Sequence, residues 1–342
     1  MILSRPSRQA ASQTMKKRLQ IGILVVLILA GLPGCQSGHG GKVDTIKLGA
    51  LPGSPILMYI ANDQHFFADN DLIVNIKDDY PSGAATTEAV LKGEMDLAWT
   101  AEFPMVSRAF EKQPLSIIAC VGRFTSEFLF ARKDQGIAAI SDLTGKKIGV
   151  SKDTIGSFYL ARFLSLNGVN PQEVSLVNIP VAESPAQIAN GNLDAVVAWD
   201  PYGSQIQAQE GDRILTWPIQ SNQPGYGLVV ARNEWIKASP DTASRFLKSL
   251  AQAVDYAVHN PEAAMVLTQK YEKLDDAAMQ RYWSEIELSL TLDQSLVLAM
   301  EDEARWMIEN NLTSNTHIPN FLDYIHENAL KAIKPEEVNI IR

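Results

Sequence analysis

The strongest constraint on the fold is an internal near-repeat of alternating strands and helices. In the first copy, strands are predicted at 46–50 and 72–77, helices at 55–67 and 84–92, and a turn and strand at 93–99. The second copy keeps this order. Its segments are 147–150, 156–167, 174–179, 184–190 and 191–199. Such alternation predicts βαβ units and a mostly parallel sheet in each copy.

The repeat also predicts where a ligand would bind. Right-handed crossovers place the loops at the carboxyl ends of parallel strands on one edge of the sheet, and open α/β sheets bind ligands there. Residues 226–230 read as a return strand. Beyond them the pattern is helical, with one helix capped by Asp241 and another over 292–311. We therefore expect an α/β fold with two lobes, a crevice between them and a helical C-terminal third.

The N-terminus reads as an export signal. Five Lys and Arg residues precede a short apolar run over 21–30, with no acidic residue in 1–34. This run is too short to span a bilayer, which needs roughly 20 apolar residues. Leu32-Pro33-Gly34-Cys35 resembles a bacterial lipobox, so Cys35 is the predicted lipidation site and 35–43 a flexible tether. The alternative is an ordinary signal peptide with a chance cysteine.

Charge and cysteine content exclude some classes of protein. The chain has a formal net charge of −9 even with the basic leader included. This acidity argues against nucleic-acid binding, which needs a basic face. Apart from Cys35 only Cys120 is present, in the apolar run 115–121. We expect no intramolecular disulfide and a buried structural thiol at Cys120.

The candidate ligand site consists of predicted strand-to-helix turns. A helix N-terminus offers unpaired N–H groups and a partial positive charge, which suit a sulfonate, nitrate, phosphonate or carboxylate. Plain helix capping is the alternative at each turn. The residues at these turns are Gly53, Ser54, Ser82, Gly83, Thr100, Glu102, Thr154, Ile155 and Gly156.

Two further candidates follow the last strand of the second copy. Trp199 would form an apolar wall of the site. Asp200, together with Glu102, would bind an amine or the edge of an aminopyrimidine. The alternative is that both carboxylates are solvated or cap their own helices. If they bind ligand, they favour one with a hydrogen-bond donor over a simple anion.

Signatures of an enzyme are missing from the sequence. The five histidines have no paired ligand spacing, and there is no Gly-x-Ser-x-Gly elbow, phosphate loop or Gly-x-Gly-x-x-Gly. Asp96 and Asp194 match in the repeat, but each follows a Gly at a helix-to-strand turn, so we interpret them as turn formers. We predict a non-enzyme with no catalytic residue, no cofactor and no metal.

Several motifs, taken in order, resemble the periplasmic binding proteins of the nitrate, sulfonate, taurine and thiamine-precursor type. The likeness covers nearly all of residues 44–330. In that family a Gly usually precedes the second strand, where this chain has Asp71. The matching segments are 59–61, 65–67, 70–72, 82–83, 93–96, 141–150, 191–195, 199–202 and 306–312.

The resemblance implies a two-lobed periplasmic binding protein fold of type II. Lobe one would comprise 44–128 and 230–342, and lobe two 129–229, with hinge crossings near Phe128 and Leu228. The family's ligands lie between the lobes and touch the helix-start turns named above. The implied partners are the permease and ATPase of an ABC importer. The binding protein itself would be a monomer, attached to the membrane only through its lipid.

The predicted function is therefore extracytoplasmic capture of a small organic sulfonate, taurine or nitrate-like solute. A thiamine pyrimidine precursor or another heteroaromatic solute is the first alternative. A pyrimidine synthase would need a cysteine-rich motif, and the chain has two cysteines. A lipid-tethered sensor subunit that binds the same ligand is a further alternative.

Overall fold

The computed structural model describes residues 42–152, 154–272 and 274–342. The predicted signal peptide and the lipidation site Cys35 lie outside the described residues, as does the tether apart from residues 42 and 43. In the described part of the chain no helix has the length and apolar character needed to cross a membrane.

The first sheet has seven strands in the order β12-β11-β4-β10-β3-β1-β2. Its centre buries the apolar runs of β4 and β10 completely or nearly so, which explains their lack of polar alternation. The strands are β1 (Asp44–Gly49), β2 (Leu72–Lys77), β3 (Leu97–Ala101), β4 (Leu115–Phe124), β10 (Gly225–Arg232), β11 (Ile286–Asp293) and β12 (Val338–Asn339).

The second sheet has five strands in the order β7-β6-β8-β5-β9. Its strands are β5 (Phe128–Arg132), β6 (Lys147–Val150), β7 (Ser175–Asn178), β8 (Ala195–Ala198) and β9 (Ile214–Pro218). In β8 all four residues are buried, because the strand has neighbours on both sides and helices over the sheet.

Helices cover both sheets. Those of the first copy of the repeat and of the C-terminal third are α1 (Ile56–Asp63), α2 (Phe66–Asp69), α3 (Gly83–Leu91), α4 (Glu102–Phe110), α8 (Asn233–Ala238), α9 (Pro240–His259), α10 (Pro261–Glu272), α11 (Asp276–Ser284), α12 (Gln294–Glu309) and α13 (Asn328–Lys331). Those of the second copy are α5 (Ile155–Leu166), α6 (Ser184–Ala189) and α7 (Tyr202–Glu210).

The α/β prediction is confirmed, and both sheets are mixed. In each, three strands of the repeat are parallel, with β1 between β2 and β3, and β6 between β7 and β8. The remaining pairings, apart from the β11–β12 pair, are antiparallel. The crossover units dictate the parallel half, whereas the strands that link the two sheets return without a crossover helix.

The matched aspartates of the repeat serve the structure, as interpreted. Asp96 accepts a hydrogen bond from the backbone N–H of Lys47 at 2.8 Å, and Asp194 does so from Lys147 at 2.7 Å. Each carboxylate thus ties the turn before one parallel strand to the backbone of the neighbouring strand. Asp71 has φ 54°, so it occupies the left-handed turn position before β2.

Three predicted element boundaries were wrong. The helix predicted over 55–67 is divided into α1 and α2, because His65 takes a left-handed φ of 62°. Asp241 lies inside α9 and pairs with Arg245 at 2.8 Å, while Ser239 is the N-cap residue. Residues 292 and 293 belong to β11, and Asp293 caps α12 through its side chain.

The chain passes between the two sheets twice, over 125–127 and over 219–224. Gln220 joins the two crossings, since its side chain accepts from the Glu127 N–H at 3.0 Å and donates to the Phe124 carbonyl at 2.9 Å. Phe128 is the first residue of β5, immediately after the first crossing. Leu228 lies within β10, paired with Thr100 on one side and Cys120 on the other.

Candidate functional site

A cavity of about 100 Å³ lies where the carboxyl ends of the parallel strands of both sheets meet. One buried water needs roughly 10–15 Å³ by this kind of measure, so the cavity has room for several waters or a small solute. It is lined by the loops that follow β1, β3, β6 and β8. This is the edge at which the repeat predicts ligand binding.

The structure brings seven of the predicted site residues together around this cavity. They come from both sheets and stand mainly at helix starts. They are Gly53, Ser54, Gly83, Thr154, Ile155, Trp199 and Asp200. The other four predicted residues, Ser82, Thr100, Glu102 and Gly156, are not in the cavity wall.

Ser82 and Thr100 have structural contacts instead. The Ser82 hydroxyl accepts from the N–H of Ala85 at 3.2 Å and so caps α3. Thr100 is fully buried and donates to the carbonyl of Ala101 at 3.1 Å. A Cβ atom on Gly83 would stand 2.3 Å from the Thr100 hydroxyl oxygen, so only glycine permits this approach of α3 to β3.

Glu102 lies beneath the site. It is fully buried and accepts a hydrogen bond from the backbone N–H of Tyr226 at 2.9 Å. The carboxyl of Glu303 on α12 is its buried neighbour. Burial raises the pKa of Glu102 to about 8 and, together with the charge of Glu102, raises the pKa of Glu303. In this structure Glu102 is therefore a buried acid that does not line the cavity.

Asp200 lines the cavity, but its carboxylate is already engaged. Its Oδ1 accepts from the backbone N–H and the hydroxyl of Ser204, at 2.8 and 2.7 Å, and so caps the first turn of α7. Its Oδ2 pairs with Arg281 on α11 at 3.2 Å. These hydrogen bonds agree with the alternative that Asp200 caps its own helix. Arg281, 81 residues further along the chain, balances the charge of the carboxylate.

The start of α5 faces the cavity without a side-chain cap. Thr154 is the N-cap residue, yet its hydroxyl donates to the carbonyl of Ser151 at 2.7 Å and makes no cap hydrogen bond. Gly156, the second residue of α5, does not line the cavity and lies against the side chain of Glu127. An α-helix of 12 residues such as α5 presents a partial positive charge at this end.

Gly53 forms the opposite wall with a left-handed φ of 78°. Its carbonyl accepts a hydrogen bond from the buried Tyr282 hydroxyl of α11. A Cβ here would meet the carbonyl oxygen of Asp200 at 3.2 Å and Glu272 Oε2 at 3.0 Å, so the loop after β1 is in close contact with the loop after β8. The two sheets therefore meet directly at this side of the cavity.

The sequence analysis missed most of the apolar wall. The alternation of leucines in β11 at 288, 290 and 292 is a period of two that would have predicted this strand and its inward face. The aromatic and aliphatic side chains include Met58, Trp99, Phe124, Ile286 and Leu288, besides Ile155 and Trp199. Such walls suit the hydrocarbon part of a ligand.

Two charged residues of the wall were also missed, and both lie at the end of β4 or just beyond it. Arg123 is paired with Asp293 at 2.7 Å and lies over the ring of Tyr226. Glu127 is 4% exposed, its Oε2 has no hydrogen-bond partner in the described structure, and burial raises its pKa to about 8. No local motif marks either residue, because their partners Asp293, Tyr226 and Gln220 lie far along the chain.

Within residues 42–152, 154–272 and 274–342, no group of three or more His, Cys, Asp or Glu side chains is arranged to hold a metal ion. Cys120 is buried, and its thiol donates to the Gly122 carbonyl at 3.3 Å.

The sequence of this chain matches a known family. Residues 55–264 match the family model described as "NMT1/THI5 like". A putative aliphatic sulfonates-binding protein of Bacillus subtilis (strain 168) is 25% identical over 297 residues, covering 85% of this chain and 89% of the relative.

Solved structures share the fold. The alkanesulfonate-binding protein SsuA from Xanthomonas axonopodis pv. citri, bound to MOPS, superposes with a TM-score of 0.72 at 16% identity, over 84% of this chain and 99% of that one. The desulfurization enzyme DSZB superposes with a TM-score of 0.66 at 15% identity, over 84% and 98%. At such identities the likeness concerns the fold, which accommodates both a binding protein and an enzyme.

Proposed function

Because the chain belongs to the NMT1/THI5-like family, we propose that it captures a small organic sulfonate outside the cytoplasm and delivers it to an ABC importer. The observation that carries the proposal is the cavity whose walls come from the carboxyl-end loops of both sheets. A solute held there contacts both sheets at once. Its binding energy therefore favours the arrangement in which the sheets have closed around it.

The chemistry of the walls matches an amphipathic anion. Apolar side chains such as Met58, Trp99 and Trp199 accommodate a hydrocarbon part. The starts of α5 and α3 offer polar N–H groups and positive helix ends for an oxyanion. The cavity wall contains Arg123 and Asp200, and each forms an ion pair with another side chain. The sulfonate group would therefore be bound mainly by uncharged hydrogen-bond donors.

The proposed location rests on the N-terminal sequence, and the proposed partners rest on the family. We propose that residues 1–34 direct export, that Cys35 carries the lipid and that 35–43 tether the domain to the membrane. A tethered binding protein presents its solute to the permease, and the ATPase subunits drive import. The lobes predicted as 44–128 with 230–342 and as 129–229 then move about the crossings over 125–127 and 219–224. Phe128 borders the first crossing, whereas Leu228 lies inside β10 and not in the second crossing. The protein acts as a monomer.

A heteroaromatic solute is the second candidate ligand, and one observation favours it. Trp99 and Trp199 both line the cavity, and indole faces stack well on flat rings. A thiamine pyrimidine precursor is therefore part of the test below. Catalysis is not proposed, since Cys120 is buried and away from the cavity wall.

Isothermal titration calorimetry against ethanesulfonate, longer alkanesulfonates, taurine, nitrate and an aminopyrimidine tests the proposal. We expect alkanesulfonates to bind most tightly, with quenching or enhancement of tryptophan fluorescence. Trp199→Ala should weaken that binding about tenfold or more, because it removes an aromatic wall. Trp283→Ala is the matched control, since Trp283 is outside the cavity. Absence of binding to every sulfonate would contradict the proposal.

A further inference from the structure

Glu127 stands at the junction of the cavity and the first crossing between the sheets. Its backbone is fixed by the second crossing: its N–H donates to the Gln220 side chain at 3.0 Å, and its carbonyl accepts from the Ile219 N–H at 3.0 Å. The side chain lines the cavity and is almost completely buried. These two hydrogen bonds hold the backbone of Glu127 beside the cavity.

The carboxyl lies against the first turn of α5. A Cβ atom built on Gly156 would be 3.1 Å from Glu127 Oε2 and 3.5 Å from the Thr154 hydroxyl oxygen. Oε2 has no hydrogen-bond partner in the part of the chain that the structure describes. An unpartnered polar atom thus sits beside the uncapped helix start that faces the cavity.

No described cation neutralises Glu127. Arg123 is paired with Asp293, and Arg162 donates to the Gln220 carbonyl at 3.3 Å. The titratable and charged groups around it are Glu102 on α4 with Glu303 behind it, Tyr159 and Arg162 on α5, Arg123 at the end of β4, and Asp200 and Tyr282 in the cavity wall.

A buried carboxyl in such surroundings holds its proton at neutral pH. Burial alone raises the pKa of Glu127 to about 8. A neutral carboxylic acid donates one hydrogen bond, whereas a carboxylate only accepts. Beside a positive helix end, the neutral form provides an oxyanion with a second donor without adding a negative charge to the site.

We propose that Glu127 binds the ligand's sulfonate group as a neutral carboxylic acid, donating its proton to a sulfonate oxygen held at the start of α5. This inference rests on the proposed function and adds a proton linkage to it. No covalent bond changes. Above the pKa of Glu127, each ligand bound takes up one proton from solvent, and below it none. The group also selects against ligands without an acceptor at this position.

Calorimetry with ethanesulfonate from pH 6 to 9.5 tests the linkage, because this sulfonate stays anionic throughout. The dissociation constant should be level below pH 7 and rise towards about tenfold per pH unit well above pH 8. Repeating the titration at pH 9 in two buffers of different ionisation enthalpy should give an uptake approaching one proton per ligand. A level profile up to pH 9.5, or no proton uptake, would overturn the inference and leave the proposed function in place.

Two variants separate hydrogen-bond donation from bulk. Glu127→Gln keeps a donor that does not titrate, so its profile should be level and its binding at pH 6 about three-fold weaker than wild type. Glu127→Leu keeps the volume and loses the donor, so binding at pH 6 should weaken about tenfold or more. Glu210→Gln is the matched control, a buried glutamate paired with Arg213 outside the cavity, and should keep the wild-type profile.

Taurine provides the opposing outcome. If Glu127 instead paired with the ammonium group as a carboxylate, taurine would bind more tightly than ethanesulfonate throughout pH 6 to 8. Glu127→Gln would then abolish this difference in affinity. This result would overturn the inference. Failure of wild-type protein to bind any sulfonate at any pH would contradict the proposed function and the inference together. Unchanged thermal unfolding of Glu127→Leu confirms that a lost affinity is not lost folding.

Discussion

At the scale of single residues, the sequence predicts what depends on local backbone chemistry. Asp71 takes the left-handed conformation expected before β2, and Asp96 and Asp194 bind backbone N–H groups of the neighbouring strands. The roles of Glu102 and Glu127 were not predicted. Glu102 finds its backbone partner 124 residues away, and the N–H of Glu127 finds its partner, the Gln220 side chain, 93 residues away.

Gly83 provides a prediction at this scale. Its replacement by alanine places a Cβ atom 2.3 Å from the Thr100 hydroxyl oxygen, so we expect a loss of roughly 1–3 kcal/mol in the free energy of unfolding. Thr100→Ala removes that oxygen. In urea unfolding, the double variant should therefore be less destabilised than the sum of the single variants by about 1 kcal/mol. Strict additivity would show that the contact is relieved elsewhere.

At the scale of elements, the repeat was predicted because its signals are local: apolar runs, turns and helix starts. The buried stripe of α12, which includes Leu296, Met300 and Ala304, was found in the same way. β11 was missed, although its leucines alternate, because the adjoining helical pattern was extended back to residue 292. The mixed character of the sheets was not predicted either, since strand direction depends on long-range pairing.

The pair formed by Glu102 at the start of α4 and Glu303 in α12 gives a pH prediction. Burial raises both pKa values in the folded state, that of Glu102 to about 8, and the charge of Glu102 raises the pKa of Glu303 further. Between their unfolded values of about 4.3 and the folded values, the folded protein holds protons that the unfolded chain has lost. Stability from this pair is therefore full below about pH 4 and is lost as pH rises through 8.

Calorimetric melting temperatures at pH 5 to 8 test this linkage. The melting temperature of Glu303→Gln should fall less steeply with rising pH than that of wild type. At pH 8 it should be about 2–4 °C higher than that of wild type. Glu301→Gln is the control on the same helix, since Glu301 is partly exposed and its nearest partner is Arg305 at 3.8 Å. An equal slope in Glu303→Gln and wild type would show that the pair is ionised or solvated in the folded protein.

At the scale of the molecule, the contacts that join the two sheets lie beside the cavity. Gln220 ties the two crossings, the loop after β1 packs on the loop after β8, and Arg281 of α11 reaches Asp200 and Ser204 at the start of α7. None of these pairs has a sequence signature, because each joins segments far apart in the chain. Under the proposed function, these contacts would stabilise the arrangement that a bound ligand favours.

Arg281→Ala tests whether this bridge favours closure. Loss of the partly exposed bridge should weaken ethanesulfonate binding about two- to five-fold and raise the radius of gyration of the unliganded protein in small-angle X-ray scattering. Arg305→Ala is the control, because the ion pairs of Arg305 in the described part of the chain, with Glu301 and Asp302, lie within α12. If Arg281→Ala and Arg305→Ala had the same affinity and the same radius of gyration, the contact between Arg281 and Asp200 would only stabilise the start of α7.

A crystal structure of the protein with ethanesulfonate tests the central claim most directly. We predict that the sulfonate lies at the start of α5, within hydrogen-bonding distance of Glu127, with its carbon atoms between Met58 and Trp199. Electron density for the sulfonate elsewhere on the protein, or an empty cavity in crystals grown at saturating ligand, would contradict binding between the two sheets.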